Sequence, residues 1–389
     1  MKILQINKFY HPWLGGVESV VQNIAEGLDK KGDLEISVLA CQPRGPRRLE
    51  KINGITVYRA ASFGRFLGMP LSLDFFRLLK TVIRDYDAVI IHHPFPLAFL
   101  SWPLLKDKKI FIWYHSDIVR QKFSRLLFQP ALKSGLEKAD KIFVGSEKLI
   151  QSSPLLKKYA SKCTVIPFGL DLDYFTAQPE ITASAKLIKE TYGAPLILSV
   201  GRLVPYKGLA YLIKAWPSIK LPAGPKIGDG PKAKLLIIGS GPEEKRLRSL
   251  IKKLDLEDQI RIIKPVPDLR PFYAASDLFV LPSITANEAF GLVQIEAMAF
   301  GKPIINTRLM TGVTEVSPHL ISGLTAAPRD PASLAAAINK LLSDPELKKS
   351  LGEEARRRVE TIFNKDEFRK RLSAALLAKG WRGASSVPG

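Results

Sequence analysis

The stretch NEAFGLVQIEAMAFGKPI, residues 287–304, decides how the second half of the chain folds. Apolar residues recur at helical spacing from Leu292 onward and predict a helix that begins near Phe290 or Gly291. The amide groups of a first helical turn have no acceptor inside the helix, so they attract anions or sugar hydroxyls. The stretch therefore predicts a helix whose start can bind a polar ligand.

Two carboxylates flank this helix start. Glu288 and Glu296 are separated by seven residues, which places Glu288 in the entry loop and Glu296 on the second turn. Both side chains can then face one pocket. The spacing alone favours an ordinary amphipathic helix that carries two solvated glutamates, since such helices are common.

A second segment, LILSVGRLVPYKGL at residues 196–209, reads as a buried strand that breaks at Gly201 and leads to a helix. Arg202 and Lys207 lie in the connecting loop. Arginine offers a planar fork of donors and lysine a compact charge, and both suit a phosphate beside a helix start. The pattern indicates a diphosphate site.

The same unit recurs in LLIIGSGPEE, residues 235–244, where a strand runs into Gly239 and then into a helix. A single glycine turn is a weak signal. Its repetition after two strands favours a parallel sheet with ligands at the carboxyl ends of its strands.

The first half contains two comparable segments. In HPWLGGVESVVQNIAEGL, Gly15 and Gly16 stand at the start of a predicted helix, where glycine lets backbone approach a phosphate or sugar; the alternative is a tight turn without a ligand. In WYHSDIVRQK, His115, Asp117 and Arg120 follow the end of a strand, where open α/β sheets bind ligands; the alternative is a packed or surface histidine.

Composition points to a two-domain enzyme. A length of 389 residues exceeds what one core normally holds, and a hydrophobic content of 46% is sufficient for two. Strands alternate with helices along the chain, which predicts two doubly wound α/β domains. Two cysteines favour a reducing compartment, and no secretory signal is visible at Met1.

These motifs carry a family resemblance. GRLVPYKG, LLIIGSGPE, LPSITANEAFGLVQIEAMAFGKPII and TGVTE resemble the second half of the retaining nucleotide-sugar glycosyltransferases of family four. The resemblance implies the GT-B fold, in which two Rossmann-like doubly wound domains face a cleft. It implies an acceptor-binding domain at 1–175, a nucleotide-sugar-binding domain at 185–364 and a helix at 365–380 that returns to the first domain.

The resemblance also implies roles for individual residues. The catalytic set is His115, against the donor sugar, with Glu288, Arg202 and Lys207. Contacts with the nucleotide sugar fall to Gly15, Gly16, Gly201, Gly239, Phe290, Gly291, Leu292 and Glu296, with Glu296 on the ribose. Acceptor contacts fall to Asp117 and Arg120.

Two motifs are set aside as metal sites. Asp171 and Asp173 form a D-x-D, which holds a divalent metal in other glycosyltransferase folds, but here it lies in the crossover VIPFGLDLDYF. His92 and His93 lack metal-ligand neighbours and are interpreted as packing or acceptor-side residues. The expectation is an enzyme without metal or cofactor that uses a GDP- or UDP-sugar.

The formal net charge of +21 is divided almost equally between the two halves, which suits an anionic nucleotide sugar and an anionic membrane surface. The resemblance is closest to members that build bacterial polysaccharides, many of them mannosyltransferases, and implies a lipid-diphosphate-linked saccharide acceptor at the inner face of the cell membrane. Candidate docking segments are Arg65 to Leu67 and Arg120 to Phe128, where cations adjoin apolar side chains. Plain solubility is the alternative explanation of the charge.

Two other function classes compete with the enzyme. A sugar-nucleotide-binding protein without transfer activity would lose the cluster of His115 and Asp117. A basic nucleic-acid-binding protein would fit the charge, but the sequence shows no recognition module, so nucleic acid is not expected as a partner. Within enzymes, a glycogen synthase or a GT-B epimerase would share the fold.

Three departures from the family pattern stand out. Phe168 replaces the asparagine often found in a VIPNG crossover, and residues 311–313 replace a usual glycine pair. The segment from Pro217 to Lys232, rich in proline, glycine and lysine, predicts a long exposed loop without an assigned function.

Overall fold

The computed structural model describes residues 1–13, 15–28, 34–66, 68–117, 122–220 and 234–378, with only the backbone described at 122–127. The described chain forms two compact units. Unit 1 comprises Met1–Phe168 together with the described residues from Phe368 onward, and unit 2 comprises Gly169–Glu367. Arg120, Leu67 and most of the 217–232 loop lie outside the described residues.

Unit 1 is built on an eight-stranded sheet with the strand order β10-β9-β8-β7-β1-β2-β4-β3. Its pairs are parallel apart from β3, which runs antiparallel to β4 at the sheet edge. A separate two-stranded hairpin, β5-β6, completes the strands described in this unit. The bounds are β1 Lys2–Ile6, β2 Glu35–Cys41, β3 Arg48–Ile52, β4 Ile55–Ala60, β5 Arg65–Phe66, β6 Met69–Pro70, β7 Ala88–His93, β8 Lys109–Tyr114, β9 Lys141–Val144 and β10 Cys163–Val165.

Unit 2 is built on a six-stranded, fully parallel sheet with the order β13-β12-β11-β14-β15-β16. The two halves of this sheet are wound in opposite directions from β11 and β14, so the strand order reverses between them. In open α/β sheets, ligands bind at the carboxyl ends of the strands beside such a reversal. The bounds are β11 Ile197–Val200, β12 Leu235–Ile238, β13 Ile260–Ile263, β14 Leu278–Leu281, β15 Ile304–Thr307 and β16 Gly323–Ala326.

Helices connect most of the strands in both units. Those between β1 and β10 are α1 Gly16–Leu28, α2 Asp74–Val82, α3 Pro96–Leu100, α4 Lys122–Lys138 and α5 Glu147–Ser152. Those that follow are α6 Pro179–Tyr192, α7 Leu209–Ala215, α8 Glu244–Lys253, α9 Arg270–Ala275, α10 Leu292–Ala299, α11 Val313–Val316, α12 Pro331–Ser343, α13 Pro345–Thr361 and α14 Lys365–Leu377.

The central strands are buried on both faces, as their uninterrupted apolar sequences predict. Every residue of β11 and β12 is buried, and the same holds for β7 and β14. Several helix starts are fixed by side-chain caps: the Asp330 carboxylate accepts from the Ser333 amide at 3.0 Å, and the Asp344 carboxylate accepts from the Leu347 amide at 2.9 Å. Each such cap contributes about 1 kcal/mol. The strands therefore hold their carboxyl-end loops on a rigid platform.

Three sequence-based expectations need correction. The helix of the 287–304 stretch begins at Leu292, because Gly291 takes a left-handed conformation (φ +76°) and caps it. The sequence predicts a crossover between the domains from Pro167 to Glu190, but α6 occupies the second half of this segment and packs on α9 within unit 2. Strand β3 was not predicted, because its sequence RLEKI is charged and lies at a sheet edge.

Candidate functional sites

The site in unit 2 lies where β11 and β14 end, on either side of the strand-order reversal. The chain after β11 forms a 3-10 turn at Pro205–Lys207, and Gly208 follows in a left-handed conformation. A Cβ on Gly208 would lie 2.0 Å from the Pro282 carbonyl oxygen, so this turn packs directly on the backbone that follows β14. The Ile284 amide donates to the Tyr206 carbonyl at 2.8 Å and joins the same two segments.

This packing brings Lys207 and Glu288 into contact. The Lys207 Nζ lies 2.6 Å from the Glu288 Oε2, and both side chains are about one-tenth exposed. The Ser283 hydroxyl donates to the same carboxylate oxygen at 2.9 Å. Burial lowers the pKa of Lys207, but the Glu288 carboxylate and Tyr206 outweigh it and raise that pKa above its ordinary value. Lys207 is therefore a fixed cation.

Arg202 supplies a second cation beside Lys207. Its side chain is exposed and has no ion-pair partner among the described residues. Its charge opposes the rise of the Lys207 pKa. Gly201, with φ +148°, lets the Lys207 side chain pass at 3.3 Å from the position a Cβ would take.

Glu296 lies on α10 and has no cation in direct contact among the described residues. Its Oε2 accepts a hydrogen bond from the Tyr273 hydroxyl at 2.7 Å, and its Oε1 accepts none from the described residues. Burial raises the pKa of this carboxyl group, opposed by the Tyr273 hydrogen bond and the charge of Lys207. One oxygen of Glu296 is thus held in place and the other is available.

A pocket of about 170 Å³ opens beside Arg202, at the carboxyl ends of β11, β12 and β13. Gly239 closes its floor, because a Cβ there would lie 1.9 Å from the Gly201 carbonyl oxygen. The lining is mostly apolar and consists of Val200, Gly201, Arg202, Ile238, Gly239, Ser240, Pro265, Val266 and Leu269.

The start of α10 is held by a buried polar network that the sequence did not reveal. The Gln294 amide donates to the carbonyls of Phe290 and Val313 at 3.2 and 3.3 Å. The Asn306 amide donates to the Gln294 Oε1 at 3.1 Å and to the carbonyls of Val313 and Ser317. Polar residues inside the apolar segments VQIEAMA and IINT were the available signal.

The candidates of unit 1 form a second group. Gly16 begins α1, and a Cβ on Gly15 would lie 2.2 Å from the Glu18 carboxylate. Glu18 is buried, and its Oε1 has no partner among the described residues. Sequence reasoning missed Glu18, because a glutamate in the first turn of a helix normally signals only a favourable dipole contact.

His115 and Asp117 follow β8, as predicted. His115 makes a 3.0 Å hydrogen bond with His92, and Asp117 accepts from the hydroxyls of Tyr114 and Ser153. Asp117 also lines a pocket of about 220 Å³ at the ends of β7 and β8. Its apolar lining comes from Phe95, Pro96, Phe99, Phe128, Leu132, Pro154 and Leu155, and its polar lining from His93, Tyr114, Asp117, Gln129, Lys133 and Lys158.

The D-x-D motif is occupied by a lysine. The Lys365 Nζ lies 2.5 Å from the Asp171 carboxylate and 3.2 Å from that of Asp173. Burial raises the pKa of Asp171, but the hydrogen bond and charge of Lys365 outweigh burial and hold that pKa below its usual range. Within the six ranges that the structure describes, no cluster of three metal-ligating side chains is present. In the same ranges, no helix has the length and apolar character needed to cross a membrane.

Two family models and several characterised relatives match the chain. Residues 14–174 match the model of Glycosyltransferase Family 4, and residues 183–358 match the model of Glycosyl transferases group 1. The O-antigen chain mannosyltransferase C of Escherichia coli is 30% identical over 377 residues, covering 95% of this chain and 96% of the relative. The D-rhamnosyltransferase WbpZ of Pseudomonas aeruginosa is 28% identical, covering 93% and 92%.

Solved structures share the fold. The Anabaena protein Alr3699/HepE, crystallised in complex with UDP, superposes with a TM-score of 0.78 at 20% identity and covers 97% of this chain and 99% of that one. WaaG, a glycosyltransferase involved in lipopolysaccharide biosynthesis, gives a TM-score of 0.71 at 16% identity, covering 97% and 100%. The predicted architecture of two Rossmann-like domains is confirmed. The chain belongs to glycosyltransferase family 4 and has the GT-B fold.

Proposed function

We propose that the protein transfers a hexose, with mannose favoured, from a GDP- or UDP-sugar to a lipid-linked or saccharide acceptor with retention of configuration. The observation that carries the proposal is the 2.6 Å contact of Lys207 with Glu288 beside the exposed Arg202. Arg202 and Lys207 offer two cations to a diphosphate, and the adjoining Glu288 offers a carboxylate to the hydroxyls of a sugar. The names of the mannosyl- and rhamnosyltransferase relatives favour mannose and a role in cell-surface polysaccharide synthesis.

The sugar donor is bound through complementary charge. Arg202 and Lys207 contact the diphosphate, and Glu288 turns from Lys207 to accept hydrogen bonds from the sugar hydroxyls. The backbone of residues 290–292 at the start of α10 orients the same sugar, since that helix end carries partial positive charge. The ion pair of the unliganded site is thereby exchanged for contacts with the two ends of the substrate.

The nucleoside occupies the 170 Å³ pocket beside Arg202. Its apolar walls and exposed backbone edges suit a flat heterocycle, and the available Oε1 of Glu296 suits a ribose hydroxyl. Alr3699/HepE is solved with UDP, which shows that a protein with this fold binds a nucleotide.

The bond to the leaving diphosphate breaks with negative charge developing on phosphate and positive charge on the anomeric carbon. Arg202 and Lys207 are placed to stabilise the phosphate, and a stabiliser of this kind contributes about 3 kcal/mol to the transition state. We propose that these cations replace a metal, and the pairing of Asp171 and Asp173 with Lys365 supports that view. No covalent sugar–enzyme intermediate is required when the acceptor enters on the leaving-group face.

The acceptor is proposed to bind unit 1. Asp117 has a second carboxylate oxygen that accepts from none of the described residues, and it lines the 220 Å³ pocket. Lys133 and Lys158 line the same pocket, are exposed, and lack an acidic partner within the described ranges. Apolar walls with cations at the mouth fit the chain and phosphate of a lipid carrier. Arg120 is also proposed to contact the acceptor.

The β5-β6 hairpin is proposed to contact the anionic inner face of the cell membrane. Phe63 is 80% exposed and Phe66 is 63% exposed, and Leu73 beyond the hairpin is 70% exposed. The Arg65 guanidinium lies 4.7 Å from the centre of the Trp13 ring, which keeps a cation among these apolar side chains. Exposed aromatic groups with cations bind the headgroup region of an anionic bilayer.

Thermal unfolding with a panel of UDP-, GDP- and ADP-sugars, in the presence of a chelator, tests the donor site. One sugar nucleotide at about 100 times its dissociation constant should add about 2.7 kcal/mol to the free energy of unfolding. The Lys207→Ala variant should lose that gain. Stabilisation that requires added metal would contradict the proposed cation pair.

Sedimentation with anionic vesicles at low salt tests the membrane contact. The Phe63→Ser/Phe66→Ser variant should bind these vesicles at least about tenfold more weakly, since two large apolar side chains are lost from the bilayer. Leu187→Ser is the matched control, because Leu187 is also exposed (64%) but lies on α6 in unit 2. Equal binding by both variants and the unaltered protein would remove the hairpin from the proposal.

A further inference from the structure

A chain of hydrogen bonds crosses the sheet of unit 1 and ends at His115. The Gln5 side chain lies on β1, His92 lies next to it on β7, and both are fully buried. The Gln5 Oε1 is 2.9 Å from the His92 Nε2, and the His92 Nδ1 is 3.0 Å from the His115 Nε2. Three strands that are neighbours in the sheet therefore contribute one polar row.

The direction of every hydrogen bond in this row follows from its first member. The Gln5 Nε2 donates to the Val21 carbonyl at 3.2 Å, so the Gln5 Oε1 must face His92. A carbonyl oxygen only accepts, hence the His92 Nε2 carries the hydrogen. A neutral imidazole has one N–H, which leaves the His92 Nδ1 as an acceptor. His115 must then donate from its Nε2, and its Nδ1 carries a lone pair.

The charge state of the row supports this assignment. Burial lowers the pKa of His92 to about 3, so His92 is neutral at physiological pH. Burial first, and then His92, His93 and Lys8, lower the pKa of His115 well below its ordinary value. The opposite tautomer of His115 would place two lone pairs face to face across 3.0 Å. The network therefore stabilises one tautomer.

Aromatic neighbours fix the plane of the His115 ring. Its centroid lies 6.0 Å from that of Phe168 at an interplanar angle of 11°, and 6.1 Å from that of Trp113 at 20°. Phe168, which replaces an asparagine of the family pattern, is thus one wall of this stack. The Nδ1 of His115 has no partner among the described residues, and the residue is partly exposed.

We propose that Gln5 and His92 are positioning residues that hold His115 as its Nε2–H tautomer, so that its Nδ1 accepts a hydrogen bond from a hydroxyl of the sugar substrate. The inference rests on the proposed sugar transfer, because the ligand of Nδ1 is taken to be that sugar. A site built to pair with a hydroxyl discriminates against an analogue that lacks it. The row thus selects for a hydroxyl at one position of the sugar.

Nitrogen NMR of the protein labelled with ¹⁵N-histidine tests the tautomer without any substrate. The chain has five histidines, and loss of signals in His115→Gln assigns the one of interest. His115 should show a protonated Nε2 and an unprotonated Nδ1. His92→Phe should move it to a mixture of tautomers, and His92→Asn should restore the first state, because the amide oxygen can accept from the His115 Nε2.

Two further variants complete this test. Gln5→Leu removes the acceptor that fixes the hydrogen on the His92 Nε2, so His115 should become a mixture of tautomers. This variant replaces His92→Phe if the latter fails to fold. His319→Gln is the matched control, because the His319 ring is bonded to the Thr325 amide in unit 2. A protonated Nδ1 in the unaltered protein, or an unchanged tautomer in both Gln5→Leu and His92→Phe, would overturn the proposal.

Kinetics separate this proposal from the proposed transfer reaction. His92→Phe should reduce kcat/KM about tenfold, the value of one hydrogen bond, and His92→Asn should recover most of it. A sugar that lacks the selected hydroxyl should be equally poor for His92→Phe and the unaltered enzyme. A tautomer change without any change in kcat/KM would overturn the role toward sugar. Absence of transfer from every sugar nucleotide would instead reject the proposed function, while the NMR result still decides the tautomer.

Discussion

Lys207 and Glu288 form a buried ion pair that joins the loops after β11 and β14, with 2.6 Å between Nζ and Oε2. The pair lies at the point where the strand order of unit 2 reverses. A buried charge without its partner is strongly unfavourable. The ion pair therefore holds the two loops together at the carboxyl ends of these strands.

Substituting Lys207 should affect stability and turnover by separate routes. Lys207→Ala leaves Glu288 buried and unpaired, so the free energy of unfolding should fall by about 3–5 kcal/mol. Turnover should fall by at least about 100-fold, because the phosphate loses a stabilising cation. Urea unfolding and initial transfer rates measure the two effects.

The double variant Lys207→Ala/Glu288→Gln is the control for this prediction. The amide oxygen introduced by the second substitution would still accept from the Ser283 hydroxyl but would bring no charge, so most of the lost stability should return. Turnover should stay low. Recovery of turnover together with stability would show that Lys207 acts only by supporting the fold.

Glu296 should destabilise the protein at neutral pH. Burial raises its pKa in the folded state, so its contribution to stability is complete below the unfolded pKa of about 4.3 and is lost as pH rises through the folded pKa. Glu296→Gln removes this loss and keeps an acceptor for the Tyr273 hydroxyl. The variant should therefore be more stable than the unaltered protein at pH 7.5, and the difference should shrink toward pH 4.

Urea unfolding at several pH values measures this difference, and Tyr273→Phe provides the comparison. That variant leaves the carboxylate without its 2.7 Å hydrogen bond and should be less stable at pH 7.5. Weaker binding of the sugar nucleotide by Glu296→Gln would fit the ribose contact. A Glu296→Gln variant less stable at every pH would contradict the prediction.

The sequence was sufficient for most strands of the two large sheets and for single residues near strand ends. The sequence predicts strands at 109–114, 141–144, 235–238, 260–263 and 278–281, because each is an apolar run closed by charged or turn residues. The strands β8, β9, β12, β13 and β14 have these bounds. Lys207 could be named because it lies in a loop between a strand that ends at a glycine and a helix, and Glu288 because it precedes a predicted helix start. Their direct contact could not be foreseen, since it depends on the packing of Gly208 against Pro282.

Contacts between side chains that are distant in the sequence could not be predicted from local patterns. The row from Gln5 through His92 to His115 exists only because β1, β7 and β8 are neighbours in the sheet. The same reason applies to the D-x-D motif, whose lysine lies almost two hundred residues further along the chain. A local pattern reports which residue types are present, but the sheet order decides which of them meet.

Gly239 should tolerate no side chain. A Cβ there would lie 1.9 Å from the Gly201 carbonyl oxygen, which is backbone and cannot move aside without displacing the strand end. Gly239→Ala should therefore lower the free energy of unfolding by about 1–3 kcal/mol and weaken sugar-nucleotide binding, because Gly239 floors the pocket beside Arg202. Thermal unfolding and calorimetric titration measure the two effects.

Ser240→Ala is the matched control for Gly239. Ser240 is the next residue, lines the same pocket and is exposed, so its change should leave stability within about 0.5 kcal/mol. Equal effects of the two substitutions would mean that the close approach of Gly239 to Gly201 is not what fixes the pocket floor.

Asn306 should set the position of the α10 start. Its amide group donates to Gln294 and to the carbonyls of Val313 and Ser317, and its oxygen accepts from the Thr325 hydroxyl at 2.9 Å. Asn306→Leu keeps the size of the side chain but leaves its buried hydrogen-bond partners without a partner. The free energy of unfolding should therefore fall by about 2–3 kcal/mol. KM for the sugar nucleotide should rise more than kcat falls, because the backbone of residues 290–292 loses its support.

Thr325→Val separates this effect from a general loss of packing. It removes the hydrogen bond to the Asn306 oxygen and keeps the donations that hold Gln294 and Val313, so it should cost only about 1 kcal/mol and leave KM unchanged. Steady-state kinetics beside urea unfolding provide both numbers. If both variants raise KM to the same extent, the network acts by stabilising β15 as a whole, and Asn306 has no particular connection to the start of α10.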